Sequence, residues 1–308
     1  AFGLRYLYAN LGEHQSAAEL IEFTIQEQPL SIAEKLLSYQ PEVIGFSVYI
    51  WNVSEIEAVV GLLKSIKPEI RIILGGPEVS HSPDLPKLCD LADYVIAGPG
   101  EQDFRELCGK LLQGEHPQTK YIDGRATPLE QLVLPYRFYN DEDIRNRLIY
   151  VEASRGCPFK CEFCLSALDK TATAFPLDEF LAEIDQLWQR GVRNFKFIDR
   201  TFNLKITTSI AILEFFLERM SDDLYLHFEV VPDNLPDKLK SVLQKFPPNS
   251  LQFEIGIQTF DSEIQERISR KQNNDKSKDN IRWLREHSGA HLHTDLIFGL
   301  PGDTLENF

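Results

Sequence analysis

Two stretches of short apolar runs, each run followed by a helical segment, constrain this chain more than any other feature. In the first stretch, Val43 to Ile50 (VIGFSVYI), Arg71 to Gly76 (RIILGG) and Tyr94 to Gly98 (YVIAG) read as buried strands, and Leu20 to Ile25 as a shorter one. Helices are expected over Ile32–Ser38 and Glu55–Ile66. Uninterrupted apolar runs spaced by helices indicate a parallel sheet covered on both faces. The expected domain, residues 1–115, is a doubly wound α/β sheet whose first strand would precede Ala1. The sequence is therefore read as a piece of a longer protein, shortened at both ends.

The rhythm stops over 116–146, where Pro117, Pro128 and Pro135 and the acidic run Asp141–Asp143 suggest a partly packed connection. It resumes over 147–308, with strands expected at Leu148–Ser154, Asn194–Asp199, Tyr225–Val231, Leu251–Gln258 and Leu292–Phe298. Intervening helices are expected at Leu177–Arg190, Thr208–Met220 and Lys276–His287. Such strand–helix units suggest part of a parallel barrel. Strand side chains alternate faces. Ile149, Phe195, Phe197, Leu226, Phe228, Leu251, Phe253, Leu296 and Phe298 fall on apolar faces. Lys196, His227, Glu229, Glu254, His293 and Asp295 fall opposite them. A lumen that is only packing would carry branched aliphatics; this one is a polar cavity built to hold something.

The 308 residues include five cysteines, three of them within eight positions, and a formal net charge of −15. An odd cysteine count without a secretory signal argues against a disulfide framework and for a reducing, cytoplasmic location. No apolar run approaches a membrane span, so no membrane partner is expected. The acidic balance disfavours a nucleic-acid substrate.

Arg155 to Leu165 reads RGCPFKCEFCL, a C-x3-C-x2-C directly after the first strand of the second stretch. Thiolates select zinc or iron–sulfur iron. A structural zinc site closes with four ligands, and electron-transfer clusters usually take four cysteines. Three cysteines, Cys157, Cys161 and Cys164, leave one iron open, as a catalytic centre requires. Zinc or a purely structural cluster is the weaker alternative. Cys89 and Cys108 fall in helical stretches and read as buried small hydrophobes.

This loop resembles the cluster loop of radical SAM enzymes, with Phe163 as the aromatic before the last cysteine. Phe195–Asn203 (FKFIDRTFN), Glu254–Phe260 (EIGIQTF) and Asp295–Thr304 (DLIFGLPGDT) are similar to that family's later strand motifs, in order. The resemblance implies a partial (β/α)6 barrel in which the three cysteines hold a [4Fe–4S] cluster. Its open iron would chelate S-adenosylmethionine (SAM), whose one-electron cleavage yields a 5′-deoxyadenosyl radical. It implies SAM contacts at Phe163, Gly256, Gln258, Ile297 and Gly299, with Asp199 standing where an amino-group ligand is common. Glu229 and Arg270 are candidates for SAM or substrate, or for salt bridges across the barrel mouth. An external electron donor such as flavodoxin or ferredoxin is implied.

A doubly wound, flavodoxin-like domain ahead of such a barrel resembles the cobalamin-dependent members. Ligands of these sheets bind beyond the carboxyl ends of the strands. There lie Ser47 and Tyr49, then Gly75, Gly76 and Glu78, then Gly98, Gly100 and Glu101. The Gly-Gly-Pro and Gly-x-Gly-Glu turns resemble that family's cobalamin loops, where backbone approaches a large ligand. No Asp-x-His-x-x-Gly supplies a lower cobalt ligand. Methylthiotransferases also pair two such domains, but their upstream cluster cysteines are not matched by Cys89 and Cys108. The expected reaction is methyl transfer from methylcobalamin to a carbon or phosphorus centre of a small molecule or peptide. Two alternatives stay open: a radical rearrangement or ring contraction on the same cofactors, and a cofactor-binding or electron-transfer module without turnover.

Overall fold

Parallel strands need a crossover between them, and the helical stretches of this sequence supply it. In a computed structural model describing residues 1–81, 85–168 and 172–306, the chain divides into two compact units, Ala1–Phe138 and Tyr139–Phe308. In the first, α1 (Phe2–Ala9) and α2 (Pro29–Ser38) precede β1 (Val43–Ser47), α3 (Val53–Ile66), β2 (Arg71–Gly75) and α4 (Leu88–Leu91). β3 (Tyr94–Ala97), α5 (Glu101–Leu112) and β4 (Tyr121–Asp123) follow. The strands pair in chain order, all parallel. Ile72, Leu74 and Val95 pack with α2, α3 and α4 on one face. Ile73, Tyr94 and Ile96 pack with Leu11 and α5 on the other. Helices thus cover both faces, as a doubly wound sheet requires, although the strand order does not reverse among these four.

Two expectations change here. Leu20–Ile25 is not a strand. Ile21 and Phe23 lean on the core beside α2 and α3, while the Glu22 carboxylate accepts two bonds from the Arg5 guanidinium, at 3.1 and 2.9 Å. Packing on one side and an ion pair on the other satisfy its alternation without a ladder. A fourth strand instead lies in the stretch expected to be a connection, where β4 pairs with β3. β4 is three residues long with Tyr121 and Asp123 exposed, so no apolar run announces it.

The second unit opens with α6 (Asp141–Asn146), closed by a capping box between Asn140 and Asp143. β5 (Ile149–Val151) follows, then an antiparallel ribbon of β6 (Ser154–Arg155) with β7 (Thr173–Ala174). α7 (Leu177–Gln189), β8 (Asn194–Phe197), α8 (Ile206–Leu217), β9 (Tyr225–Glu229) and α9 (Asp237–Leu243) continue the alternation. β10 (Leu251–Gln258), α10 (Ser262–Arg267), α11 (Asn274–His287) and β11 (His291–Leu296) complete it. The sheet order is β11-β10-β9-β8-β5, all parallel. This is a partial barrel, with β5 and β11 at its edges. Among the described residues no helix is long and apolar enough to cross a membrane.

The expected division of faces holds over β8, β9 and β10. Phe195, Phe197, Leu226, Phe228, Leu251 and Ile255 are all fully buried. Phe197 stands 4.6 Å from Phe228, centroid to centroid. On the opposite face Glu254 Oε2 accepts from Lys196 Nζ at 3.2 Å and meets His227 Nε2 at 2.9 Å. Burial pushes the Glu254 carboxyl up, but Lys196 and His227 outweigh it and hold the carboxyl below its usual range. Burial, then Lys196, keep the His227 pKa low. The pattern fails at β11, whose Leu296 is 47% exposed, and just beyond it Phe298 is 67% exposed.

Candidate functional site

β5 delivers the chain to a glycine, Gly156 at φ 92°, and the cysteine loop begins there. All three cysteines are free thiols, Cys161 buried and Cys157 and Cys164 half-buried. The loop is held locally by a bond from Cys164 N to Cys161 O, at 3.0 Å. It is held from afar by the turn after α10. Glu162 N donates to Ile268 O at 3.1 Å, and Ser269 Oγ donates to Glu162 Oε1 at 2.6 Å. Arg270 Nη1 reaches Cys161 Sγ at 3.7 Å.

The donor set fits a cluster. Burial is the main reason the Cys157 thiol is pushed up, and the charges of Cys164 and Cys161 add to it, opposed by the Phe159 amide and Arg200. A thiol raised in this way is held as a thiolate only beside a positive centre. Among the described residues no three His, Cys, Asp or Glu side chains are gathered to hold a single metal ion.

Of the residues expected around SAM or substrate, Arg270 reaches this loop and others bond to it or to one another. Arg270 Nη2 also donates to the carbonyl of Gly256, at the end of β10. The Gln258 side chain lies against Gly256, and Gln258 itself adopts φ 69°, where the ladder to β11 shifts register. Ile297 N donates to Gln258 O at 2.9 Å, and the Ile297 side chain packs on Ile264 and Ile268. Gly299, at φ 81°, faces open space, and Phe163 is 43% exposed. Asp199 and Glu229 have partners within the protein. Asp199 is buried, accepting from Ala153 N at 3.0 Å and Ser154 Oγ at 2.6 Å. Burial outweighs those two donors and raises its carboxyl to about 7. Glu229 faces Arg200 at 3.4 Å, and burial pushes its carboxyl up. Sequence reasoning missed Ser154, Ile268 and Ser269, which lie in no motif and bond across long separations, and Gln272, which bonds to Arg270 two residues away.

In the first unit the glycine turns are tied together at the carboxyl ends of β1, β2 and β3. Val48 N donates to Gly75 O at 2.7 Å, and Glu78 N to Val48 O at 3.3 Å. Gly76 sits at φ 110°, and a Cβ there would stand 2.5 Å from the Val48 carbonyl oxygen, so only glycine fits. Ser80 Oγ donates to Gly76 O at 2.7 Å and accepts from Gly98 N at 3.0 Å, joining the second turn to the third. Ser80 was not among the expected residues; a lone serine in a loop carries no sequence signal. The Ser47 carbonyl and Tyr49 amide are both held by Asn52, at 3.1 and 2.8 Å. Tyr49 stacks on Trp51 at 4.6 Å, and Trp51 and Ile50 are exposed beside it. Gly100 caps α5, and Glu101, in its first turn, is buried. Gly98, at φ 80°, opens onto empty space. This is a shaped, glycine-lined surface with an aromatic shelf, suited to a large flat ligand such as a corrin.

A cysteine loop of this form on a parallel partial barrel defines a class, and the comparisons agree. Residues 151–308 match the radical SAM superfamily, and residues 1–108 match the B12 binding domain. The chain belongs to the radical SAM superfamily. An uncharacterized methyltransferase, PH0819, of Pyrococcus horikoshii is 23% identical over 99% of this chain and 70% of its own length. The cobalamin-dependent radical SAM methyltransferase TokK of Streptomyces tokunonensis is 25% identical over 99% of this chain and 49% of its own. The chain thus spans about half the length of that relative. In fold it is similar to the cobalamin-dependent SAM radical enzyme OxsB with aqua-cobalamin bound. The TM-score is 0.81 at 17% identity, over 100% of this chain and 48% of the other.

Proposed function

We propose that this chain transfers a methyl group from cobalamin to a carbon or phosphorus centre of a small molecule or peptide. The observation that carries this is the presence, on one chain, of a three-thiol loop on a partial barrel and of interlocked glycine turns at strand ends matching a B12 domain. Bound together, the cluster and SAM supply a 5′-deoxyadenosyl radical and cobalamin a transferable methyl group. The protein's share is to hold and shield. Cys157, Cys161 and Cys164 bind the cluster; Gly256, Gln258, Ile297 and Gly299 shape the space beside it. The first unit offers close backbone approach at Gly75, Gly76 and Gly98. The polar barrel lining, Lys196, Glu254 and His227, favours a polar substrate. An external one-electron protein donor of the flavodoxin or ferredoxin kind completes the scheme.

The cysteines outside the loop speak against a methylthiotransferase. Cys89 lies in the core on one face of the first sheet and Cys108 in the core on the other. Burial pushes the Cys108 thiol up to about 12. Neither is placed to hold a second cluster with its neighbour.

The test is anaerobic reconstitution with iron and sulfide, then hydroxocobalamin, desalting and an ultraviolet–visible spectrum. Broad cluster absorbance with retained corrinoid bands, and 5′-deoxyadenosine release from SAM on reduction, are expected. Cluster absorbance without corrinoid would leave a radical SAM enzyme and remove the methyl-transfer reading.

A further inference from the structure

We propose that the segment after β4 is a strap over the third glycine turn, and that Arg125 on it is a positioning residue for the corrinoid. This rests on the cobalamin reading above and adds residues beyond the stretch matching the B12 binding domain, which ends at residue 108. The segment still belongs to the first unit. The turn Gly98-Pro99-Gly100 cannot set its own shape, because its glycines reach many backbone conformations. It is shaped by what touches it. On one side stands Ser80 Oγ, which accepts from Gly98 N. On the other stands Gly124, whose amide donates to Ala97 O at 2.8 Å. A Cβ at Gly124 would run into the Pro99 carbonyl, so strap and turn lie backbone to backbone.

Arg125 fastens the strap. Its amide donates to Asp103 Oδ2 at 2.7 Å, and Nε and Nη2 donate to Asp103 Oδ1 at 2.9 and 2.6 Å. Nη2 also donates to Glu106 Oε2 at 2.7 Å, and Glu106 Oε1 accepts from Gln102. Asp103 is buried in the first turn of α5, the helix that the glycine turn leads into. Burial pushes the Asp103 carboxyl up, but the bonds and charge of Arg125 outweigh it and hold the carboxyl below its usual range. A planar fork bonded in this way keeps a geometry that a flexible ammonium does not. Further along, the strap crosses α1. There Asn10 Nδ2 donates to Val133 O at 3.0 Å and Asn10 Oδ1 accepts from Val133 N at 2.9 Å. That second fastening involves none of the turn residues. A binding surface already held in shape loses less freedom when its ligand arrives, so Arg125 favours the corrinoid through the turn.

Two measurements on the full chain test this. One is deuterium exchange over residues 97–104 without corrinoid, and the other is the dissociation constant for hydroxocobalamin, read from the visible spectrum. Arg125→Ala is expected to speed exchange over 97–104 and to weaken hydroxocobalamin binding severalfold, with Arg125→Lys between it and the parent chain. Asn10→Ala is expected to lower the urea midpoint and leave the dissociation constant at the parent value. Unchanged exchange in Arg125→Ala overturns the strap, and faster exchange with an unchanged dissociation constant overturns the positioning role. Equal weakening by Asn10→Ala overturns that role too, because lost stability alone then explains the effect. Should Arg125→Ala fail to fold, Glu106→Ala removes one edge of the fork. A smaller change of the same sign is then expected in both measurements, and no change overturns the proposal. If the parent chain binds no hydroxocobalamin, the cobalamin reading fails, and exchange over 97–104 alone decides whether the strap holds the turn.

Discussion

The two candidate sites are built from opposite materials. In the first unit the work is done mostly by backbone: Val48, Gly75, Gly76 and Gly98 interlock through amides and carbonyls, with the Ser80 and Asn52 side chains as rivets. In the second unit it is done by side chains, the three thiols together with the hydroxyl and guanidinium that clamp their loop. A backbone site tolerates exchange of most side chains and is intolerant of a single added Cβ. A side-chain site behaves the other way, since its function is concentrated in a few replaceable atoms.

The largest test of that contrast is Cys161→Ala. It is expected to abolish bound iron and cluster absorbance while the first unit remains folded and still retains corrinoid. Iron content and the visible spectrum decide this, and a surviving cluster would remove Cys161 from the ligand set. Next is the pH dependence of the second unit. The Asp199 carboxyl rises from 3.8 unfolded to about 7 folded, chiefly through burial. The folded state then holds a proton that the unfolded chain has lost, so stability falls as pH rises from about 4 to about 7. The fall is on the order of 4 kcal/mol if no other group compensates. Urea midpoints across that window should decline for the parent chain and stay flatter for Asp199→Asn.

Gly76→Ala should destabilise the first unit by about 3 kcal/mol, because the new methyl meets the Val48 backbone in a left-handed conformation. At Gly98, where the space is open, the same change should cost only about 1 kcal/mol. Equal urea midpoints for these two variants would show that the interlock is not what constrains Gly76. The smallest effect is expected of Ser80→Ala, roughly 1 kcal/mol for the loss of the bridge between Gly76 and Gly98. A measurable loss of corrinoid retention should accompany it if the second and third turns act as one surface.

Legibility in the sequence followed the same divide. The cysteine spacing is local, so the ligand loop could be read from eleven consecutive letters, Arg155 to Leu165. The alternation of Leu251, Phe253 and Ile255 against Gln252 and Glu254 likewise revealed which strand face the helices bury. What could not be read depends on partners distant in the chain. Ser269 meets Glu162 across 107 residues, and nothing near either marks the pairing. The hydrogen bonds of Asp199 go to Ala153 and Ser154, 46 and 45 residues earlier, and no motif marks that pairing. The alternation of Leu20–Ile25 looked like a strand because packing on one side and an ion pair on the other give the same pattern. β4 was hidden for the converse reason: an edge strand needs neither alternation nor length when its neighbour supplies the ladder.

The bonds from the turn after α10 to the cysteine loop also fix an order of events. The cysteine loop leaves the ribosome early, but the residues that hold it, Ser269 and Arg270, emerge 107 and 109 positions after their partners Glu162 and Cys161. Until they arrive, the three thiols sit on an unfastened segment with no cation at Cys161. The cysteine loop is therefore fastened only after a further hundred or so residues have been made. A nascent polypeptide halted before Ser269 would carry the three thiols on a loop lacking the bonds that Ser269 and Arg270 make to it.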